Sequence, residues 1–295
     1  MRFIHILIMA MVLTIAASAV SFSADKEATE NEDGWDVNAD INLNLTQNSY
    51  NEDWEGSELG SISWSALGLM SAENQISQKC NWSTIMRLAF GQTHTQKEIE
   101  TENGSEKKWQ KPSKSTDDID LESMMRFTLG KFIDPYFSAR MQTKFTNENN
   151  EMFDPKEFTE SVGIANEFIK TERTNLVSRI GFSLRQHLRK DFDATSDGGL
   201  EFVTDYHHIF SEDRIIFDST LRLFQAMIYS ESDEEGVNDD WQSLDLDWKN
   251  NLSLNVIGNI SISVYLQLLY DKDHQTSDGV QIKQTLGVGF SYKLL

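Results

Sequence analysis

Cysteine, proline and basic residues are all scarce in this sequence, and each shortage excludes a class of protein. Among 295 residues there is one cysteine, which excludes a disulfide scaffold and a zinc site made of several cysteines. Three prolines and sixteen glycines are too few for a linker-rich chain. The 26 basic residues stand against 47 acidic ones, and such a chain is a poor partner for nucleic acid because phosphate binding needs clustered Lys and Arg.

Long apolar runs are also absent, except for one at the N-terminus. Arg2 precedes the apolar run at 6–15, and the small residues Ala17-Ser18-Ala19 follow it as a cleavage site would. This order is typical of a secretory signal peptide, which we predict over residues 1–24. An anchoring helix that is retained is disfavoured, because a helix needs about 20 apolar residues to span a bilayer.

The remaining chain divides into a short tail and a long folded body. Residues 25–33 are rich in acidic side chains and are predicted to be a flexible tail. The chain is 11% aromatic, which is too high for a disordered acidic protein, so residues 34–295 are predicted to fold. From Trp35 onward, apolar residues occur at every second position, whereas a helix needs spacings of three and four. The sequence therefore predicts an all-β fold.

About twelve segments carry this alternation of apolar and polar residues. Strands are predicted at about 35–45, 59–72, 80–94, 118–132, 136–146, 157–170, 174–189, 199–210, 213–229, 242–256, 260–270 and 280–294. Two architectures share the pattern. A soluble sandwich or lipocalin-like barrel places the apolar face inside, and a transmembrane barrel places it against lipid.

The lengths of the strands and links favour the transmembrane barrel. The predicted strands run to roughly 11–17 residues, whereas strands of soluble proteins average about 5–6. Short links alternate with long ones, and outer-membrane barrels likewise have short turns at one end and long loops at the other. The long links are predicted at 47–58, 95–117, 147–156, 190–198, 230–241 and 271–279.

The polar face of the strands carries charges of both signs, which suits a barrel lumen. Arg recurs on this face, and Arg forms planar, bidentate pairs with carboxylates in crowded, partly desolvated places. The charged residues predicted to line the lumen are Arg87, Asp118, Asp120, Glu122, Arg126, Arg140, Arg179, Arg185, Glu201, Asp205, Asp218, Arg222, Asp245 and Asp247. Because the two signs nearly cancel on this face, the net charge of −21 is predicted to lie mainly in the tail and loops.

The end of the chain carries a resemblance to a known class of proteins. Residues 288–295 read Val-Gly-Phe-Ser-Tyr-Lys-Leu-Leu, with Phe290 and Tyr292 in phase with the apolar positions of the last strand. A secreted chain of about twelve strands with this ending resembles a Gram-negative outer-membrane β-barrel protein. The resemblance implies an antiparallel, up-and-down transmembrane barrel that contacts outer-membrane lipid and lipopolysaccharide and is inserted by the barrel-assembly machinery.

A narrower resemblance covers about residues 35–145. The stretches that carry it are Asn42-x-Asn44-x-Thr46-Gln47, Asn51-x-x-Trp54, Gly60-Ser61-Ile62-Ser63, Trp82 with Phe90-Gly91, and Lys114-Ser115-Thr116-Asp117-Asp118. They are similar to the uncharacterised family called domain of unknown function 3078, whose members resemble outer-membrane proteins of Bacteroidetes-type bacteria. This resemblance implies no activity and no catalytic residue.

No motif predicts catalysis, a cofactor or a metal site. A phospholipase-type barrel needs an outward-facing Ser and His together near the outer leaflet, and His94 has no such Ser beside it. Asp205 and His207 are the residue types of an Asp/His protease at the outer rim, but they fall in the lower half of their strand, so a place in the polar lumen is favoured. The acidic loop at 230–240 offers oxygen ligands for Ca²⁺ without the spacing of an EF-hand, so a solvated loop is favoured.

The sequence therefore predicts an outer-membrane barrel that forms a narrow passage for small solutes. Eight strands leave an interior filled by side chains and sixteen open a pore, so twelve fall between these cases. The alternative function is a structural or surface-binding barrel with acidic outer loops, and a barrel-embedded hydrolase is less favoured. The expected partners are outer-membrane lipid, lipopolysaccharide, the assembly machinery, small solutes, and divalent cations at the acidic loops.

Overall fold

The computed structural model describes most of the chain between Gly34 and Lys293. The described residues are 34–48, 59–101, 104–129, 133–147, 149, 151–211, 214–234, 237–258, 260–272 and 279–293. The signal peptide predicted at 1–24 and the tail predicted at 25–33 lie outside them.

Thirteen strands and one short 3-10 helix make up the regular structure of the described residues. The strands are β1 (Trp35–Asn48), β2 (Ser61–Ser77), β3 (Cys80–Thr101), β4 (Gly104–Trp109), β5 (Ser113–Arg126), β6 (Asp134–Thr143), β7 (Lys156–Lys170), β8 (Thr174–Leu188), β9 (Thr195–Phe210), β10 (Ile215–Tyr229), β11 (Leu244–Ile257), β12 (Ile260–Tyr270) and β13 (Gln281–Lys293), and the helix is Asp239–Gln242. In this part of the chain no helix is long and apolar enough to cross a membrane.

Twelve of these strands close into an antiparallel barrel. Each pairs with the next along the chain, except that β3 pairs past β4 with β5. The ring closes where β1 pairs with β13, with Asp40 opposite Lys293 and Asn44 opposite Gly289. β4 pairs with the end of β3 and extends the barrel wall as a hairpin. The predicted all-β, up-and-down barrel of about twelve strands is confirmed.

Short and long connections alternate between the two ends of the barrel. At one end, only residues 78–79 join β2 to β3, and only residues 171–173 join β7 to β8. At the other end, residues 144–155 join β6 to β7, and residues 189–194 join β8 to β9. We call these the short-turn end and the long-loop end. β1 begins, and β13 finishes, at the short-turn end.

The strand boundaries differ most from the prediction around β3 to β5. The stretch 95–117, predicted to be a link, contains the end of β3, the whole of β4 and the start of β5. Lys97, Glu98 and Lys108 in this hairpin are exposed, so it lacks the apolar face that would have produced alternation. The fourth predicted strand also ends earlier than residue 132, because β5 ends at Arg126.

Large apolar side chains cover the outer surface of the barrel. Leu43 on β1, Val162 on β7 and Leu286 on β13 are 53%, 59% and 66% exposed. Among the described residues, buried polar and charged side chains outnumber buried apolar ones. Monomeric soluble proteins rarely expose large contiguous apolar patches, whereas a transmembrane barrel places its apolar face against lipid. This inverted distribution identifies a transmembrane barrel and excludes the soluble sandwich.

Inward-facing glycines mark two tight bends on opposite sides of the ring. Gly163 on β7 and Gly181 on β8 lie so close to each other's strand that a Cβ would meet backbone atoms, and one at Gly181 would also lie 2.8 Å from Tyr136 Oη. On β13, a Cβ at Gly287 would lie 2.9 Å from Ser263 Oγ. Glycine in a strand often marks a bend at a barrel corner. At both places, atoms of a neighbouring strand therefore lie too close to leave room for a side chain.

Candidate functional site

A charge network inside the barrel joins opposite walls. Arg140 on β6 donates from Nε and Nη2 to the two oxygens of Asp120 on β5, at 2.9 and 2.7 Å. Lys249 on β11 donates to the same carboxylate at 3.2 Å. Five barrel strands separate β5 from β11 in either direction around the ring, so the Lys249 contact crosses the lumen. At the level of Asp120 and Lys249 along the barrel axis, one lysine and one aspartate side chain together span the distance between the two walls.

A second carboxylate of β5, Glu122, contacts two arginines, one from β8 and one from β10. Arg179 on β8 contacts Glu122 Oε1, and Arg222 on β10 donates to Glu122 Oε2 at 3.1 Å. Arg222 also contacts Glu201 on β9, whose second oxygen accepts hydrogen bonds of 2.7 Å from two serine hydroxyls. None of these four charged side chains is more than 12% exposed. Charges buried to this degree need partners, because an unpaired buried charge is costly.

Another cluster lies nearer the long-loop end. Arg185 on β8 donates to both oxygens of Asp197 on β9, at 2.8 and 2.6 Å, and lies 2.8 Å from Asp245 on β11. The ring nitrogens of His187 lie 3.6 Å from Asp197 and 3.4 Å from Glu157 on β7. The sequence pattern identified Arg185 and Asp245 but missed the other three. All three are within three residues of a strand end, where too few alternating positions remain to set the phase.

Fewer charges meet near the short-turn end. Arg126 on β5 lies 3.5 Å from Glu167 on β7. His207 Nδ1 lies 2.7 Å from Asp218 Oδ1. Asp205 accepts a hydrogen bond from a threonine hydroxyl on β10 at 2.8 Å. Asp205 and His207 therefore have different partners, and the pairing that an Asp/His protease would use is not formed.

The remaining residues of the predicted set fall on the same inner face. Arg87 on β3 is in register with Asp120. Asp118 precedes Asp120 by two positions, so it lies on the same side of β5. Asp247 lies 3.4 Å from Lys249. The fold thus places the predicted residues towards the lumen, and their part in lining a passage stays a prediction.

The wall formed by β1, β2 and the start of β12 carries uncharged side chains at its centre, both small polar groups and Leu67 and Leu69. Asn44 on β1 donates to Ser65 on β2 at 3.3 Å, and the hydroxyls of Ser63 and Thr93 are 2.9 Å apart. On β12, Ser261 lies 3.4 Å from an Asn side chain of β1. The lumen is therefore asymmetric, because the long charged side chains come mostly from β5 to β11.

One comparison with known proteins reaches the N-terminal part of the barrel. Residues 45–148 match the family model described as "Protein of unknown function (DUF3078)". The match covers about a third of the chain, within the stretch where the sequence resemblance lies, and the description assigns no activity. No curated protein matches the sequence.

Solved structures with a similar course of the chain include several membrane proteins. The translocator domain of the autotransporter NalP from Neisseria meningitidis is 11% identical, with 96% of this chain and 95% of that chain covered and a TM-score of 0.35. An outer membrane channel from Pseudomonas putida F1 is 9% identical, with 91% and 100% covered and a TM-score of 0.41. The toluene transporter TbuX from Ralstonia pickettii is 9% identical, with 88% and 77% covered and a TM-score of 0.30. Identities and TM-scores this low do not establish the fold, which follows instead from this chain's own strands and outer surface.

Proposed function

We propose that this protein is an outer-membrane barrel that passes small polar solutes through a narrow lumen held closed by ion pairs. The observation that carries the proposal is the contact between Lys249 and Asp120, which joins opposite walls. Buried ion pairs often add less stability than apolar side chains of the same volume. A lumen filled by such pairs is therefore more easily rehydrated and opened. This suits a passage better than it suits a barrel that serves only as an anchor.

The contacts of Lys249 supply a route for opening. Asp120 keeps two hydrogen bonds from Arg140 when Lys249 leaves, so its charge stays compensated. Lys249 has a second carboxylate in reach, since Asp247 on its own strand lies 3.4 Å away. A swing of Lys249 from Asp120 to Asp247 would separate the two walls and leave no buried charge without a partner.

The proposal places the long-loop end outside the cell and the short-turn end in the periplasm, as in bacterial barrels. Contacts with lipopolysaccharide and with the assembly machinery belong to the same proposal. So does the binding of divalent cations at the acidic loops, where Lys272 already neutralises Asp240 at 2.6 Å. A hydrogen bond from Lys272 lowers the pKa of Asp240, so this rim carboxylate stays charged further into acid than a free aspartate does.

Planar-bilayer recording tests the proposed passage. The refolded protein should give discrete current steps, and a heat-denatured sample of the same preparation should give none. A barrel that is folded, as judged by heat-modifiable gel mobility, but silent at all voltages would overturn the passage. Silence would favour the second candidate, a structural or surface-binding barrel, which the cross-linked lumen and the acidic loop at 230–240 also suit.

A further inference from the structure

Two connections at the long-loop end form a cleft on the rim of the barrel. The β6–β7 and β8–β9 connections, with the adjoining strand ends, border an open cleft of about 310 Å³. Met152 and Leu188 provide apolar lining, and Lys156, Arg189 and Lys190 bring three cations to the same place. A concentration of cations is unusual in a chain with 26 basic and 47 acidic residues.

The two acidic residues of the cleft are already engaged within its frame. Asp154 accepts hydrogen bonds of 2.8 Å from the Lys190 backbone N–H and from the Asn147 side chain. Glu151 accepts one of 2.9 Å from Asn147 and contacts Lys190 Nζ. These bonds hold the pKa of both carboxyl groups below the usual range, with Lys190 as the main cause in each case. They tie the two connections together and neutralise Lys190.

Two cations of the cleft remain available. Within the described part of the chain, neither the Lys156 ammonium nor the Arg189 guanidinium makes a hydrogen bond or an ion pair. Arg189 lies 5.4 Å over the ring of Phe192, which is 69% exposed at the rim. Lys156 is in register with Leu188 at the top of the outward face. Lys156 therefore faces the surroundings of the barrel, and Arg189 is exposed beside it at the rim.

An apolar strip runs down the outer surface directly below the cleft. Val162 on β7 is in register with Phe182 on β8, and both lie on the same outward face as Lys156. Val162, Phe182 and Leu184 are all exposed. A molecule with an anionic head and apolar chains matches this arrangement, because the cations lie above the strip at the level of the membrane surface.

We infer that the cleft binds the phosphorylated headgroup of an outer-leaflet lipid, with Lys156 and Arg189 on its phosphate and its acyl chains along the apolar strip. The inference rests on the proposed membrane placement. Arg and Lys are preferred phosphate ligands, and basic pockets beside a membrane-spanning surface bind anionic headgroups. The loop-to-loop bonds fix the backbone beside the two cations before the lipid arrives, which reduces the entropy cost of binding.

Native mass spectrometry of the refolded barrel in detergent tests the inference, with bisphosphorylated lipid A as the probe. The wild type should retain lipid A. The affinity of the double variant Lys156→Gln/Arg189→Gln for lipid A should be lower by a factor of about ten or more. Lys170→Gln is the matched control, because that lysine is exposed at the short-turn end. Lys156→Arg keeps the charge and should keep the binding.

Four outcomes would overturn the inference. The first is equal retention of lipid A by the double variant and the control. The second and third are that the wild type binds dephosphorylated lipid A, or phosphatidylglycerol, as strongly as bisphosphorylated lipid A. The fourth is saturation of the site by inorganic phosphate alone. Heat-modifiable gel mobility shows whether each variant is folded. Because binding is measured in detergent, an electrically silent lumen leaves the result unchanged, so the two proposals fail separately.

Discussion

At the scale of single residues, Asp120 is the carboxylate on which the closed lumen depends. It is 1% exposed and accepts hydrogen bonds from both Arg140 and Lys249. Asp120→Asn leaves the buried Arg140 without its charge partner and takes one of two carboxylates from Lys249, which we expect to lower the free energy of unfolding by about 3–5 kcal/mol. Urea unfolding in lipid vesicles measures the difference.

An exposed aspartate supplies the control for that change. Asp193 lies in the β8–β9 connection and is exposed, so Asp193→Asn should change the free energy of unfolding by less than about 0.5 kcal/mol. If Asp120→Asn and Asp193→Asn unfold at the same urea concentration, Asp120 is not the paired, buried group that the structure describes.

A second residue-scale effect depends on pH. The Lys190 backbone N–H and the Asn147 side chain lower the pKa of Asp154 below its ordinary value of 3.8. A lowered folded-state pKa favours the folded form above the ordinary value, and that stabilisation is lost as the pH falls through the lowered value. The two long connections should therefore come apart in acid while the strands stay paired.

Hydrogen exchange at the Lys190 amide, corrected for the intrinsic effect of pH, measures this opening. Protection should be high near neutrality and should fall in acid. Asp154→Ala should have low protection at both pH values, because the Lys190 amide then loses its side-chain acceptor. Constant protection of the wild type down to strongly acidic pH would show that Asp154 does not hold the connection.

At the scale of strands, the bend at β7–β8 depends on close approach of two backbones. A Cβ at Gly181 would meet backbone atoms of β7 and lie 2.8 Å from Tyr136 Oη, so Gly181→Val should destabilise the barrel by about 1–3 kcal/mol or prevent closure. At Gly279, by contrast, a Cβ would have no atom within 4 Å. Gly279→Val should therefore keep heat-modifiable mobility and the wild-type urea midpoint, and equal effects of the two changes would contradict the bend.

The strands were largely predictable because lipid imposes a regular pattern on them. In β1, every outward position from Trp35 to Leu45 is apolar and every intervening position is polar, which sets the phase without any tertiary information. The β3–β4 hairpin lacks this constraint, since both of its faces meet solvent. A stretch such as Lys97-Glu98 therefore carries no signal that separates a strand from a loop.

The partners within the lumen were less predictable than the residues themselves. Alternation placed Asp120, Glu122 and Arg222 on the inner face, but it gave no indication that Arg222 reaches Glu122 across the barrel. That contact depends on how closely the two walls approach each other and on the stagger of the strands. Neither property has a local sequence signature.

At the scale of the whole molecule, the barrel separates apolar area from charge. The outer surface presents side chains such as Val162 to lipid, and the lumen holds acidic and basic groups that are largely paired with one another. The net charge of −21 therefore does not describe an acidic surface around an apolar core. The charges inside the ring mostly cancel one another. This pairing across the ring is the basis of the proposed closed passage.

If ion pairs across the lumen hold the passage closed, single-channel recording of Lys249→Gln should show a more open passage than in the wild type. The variant loses the contact with Asp120 but leaves the Arg140 pair, so the barrel should stay folded. We expect longer or larger openings than in the wild type, with Lys170→Gln indistinguishable from the wild type. Openings of the same size and duration in all three proteins would contradict the account.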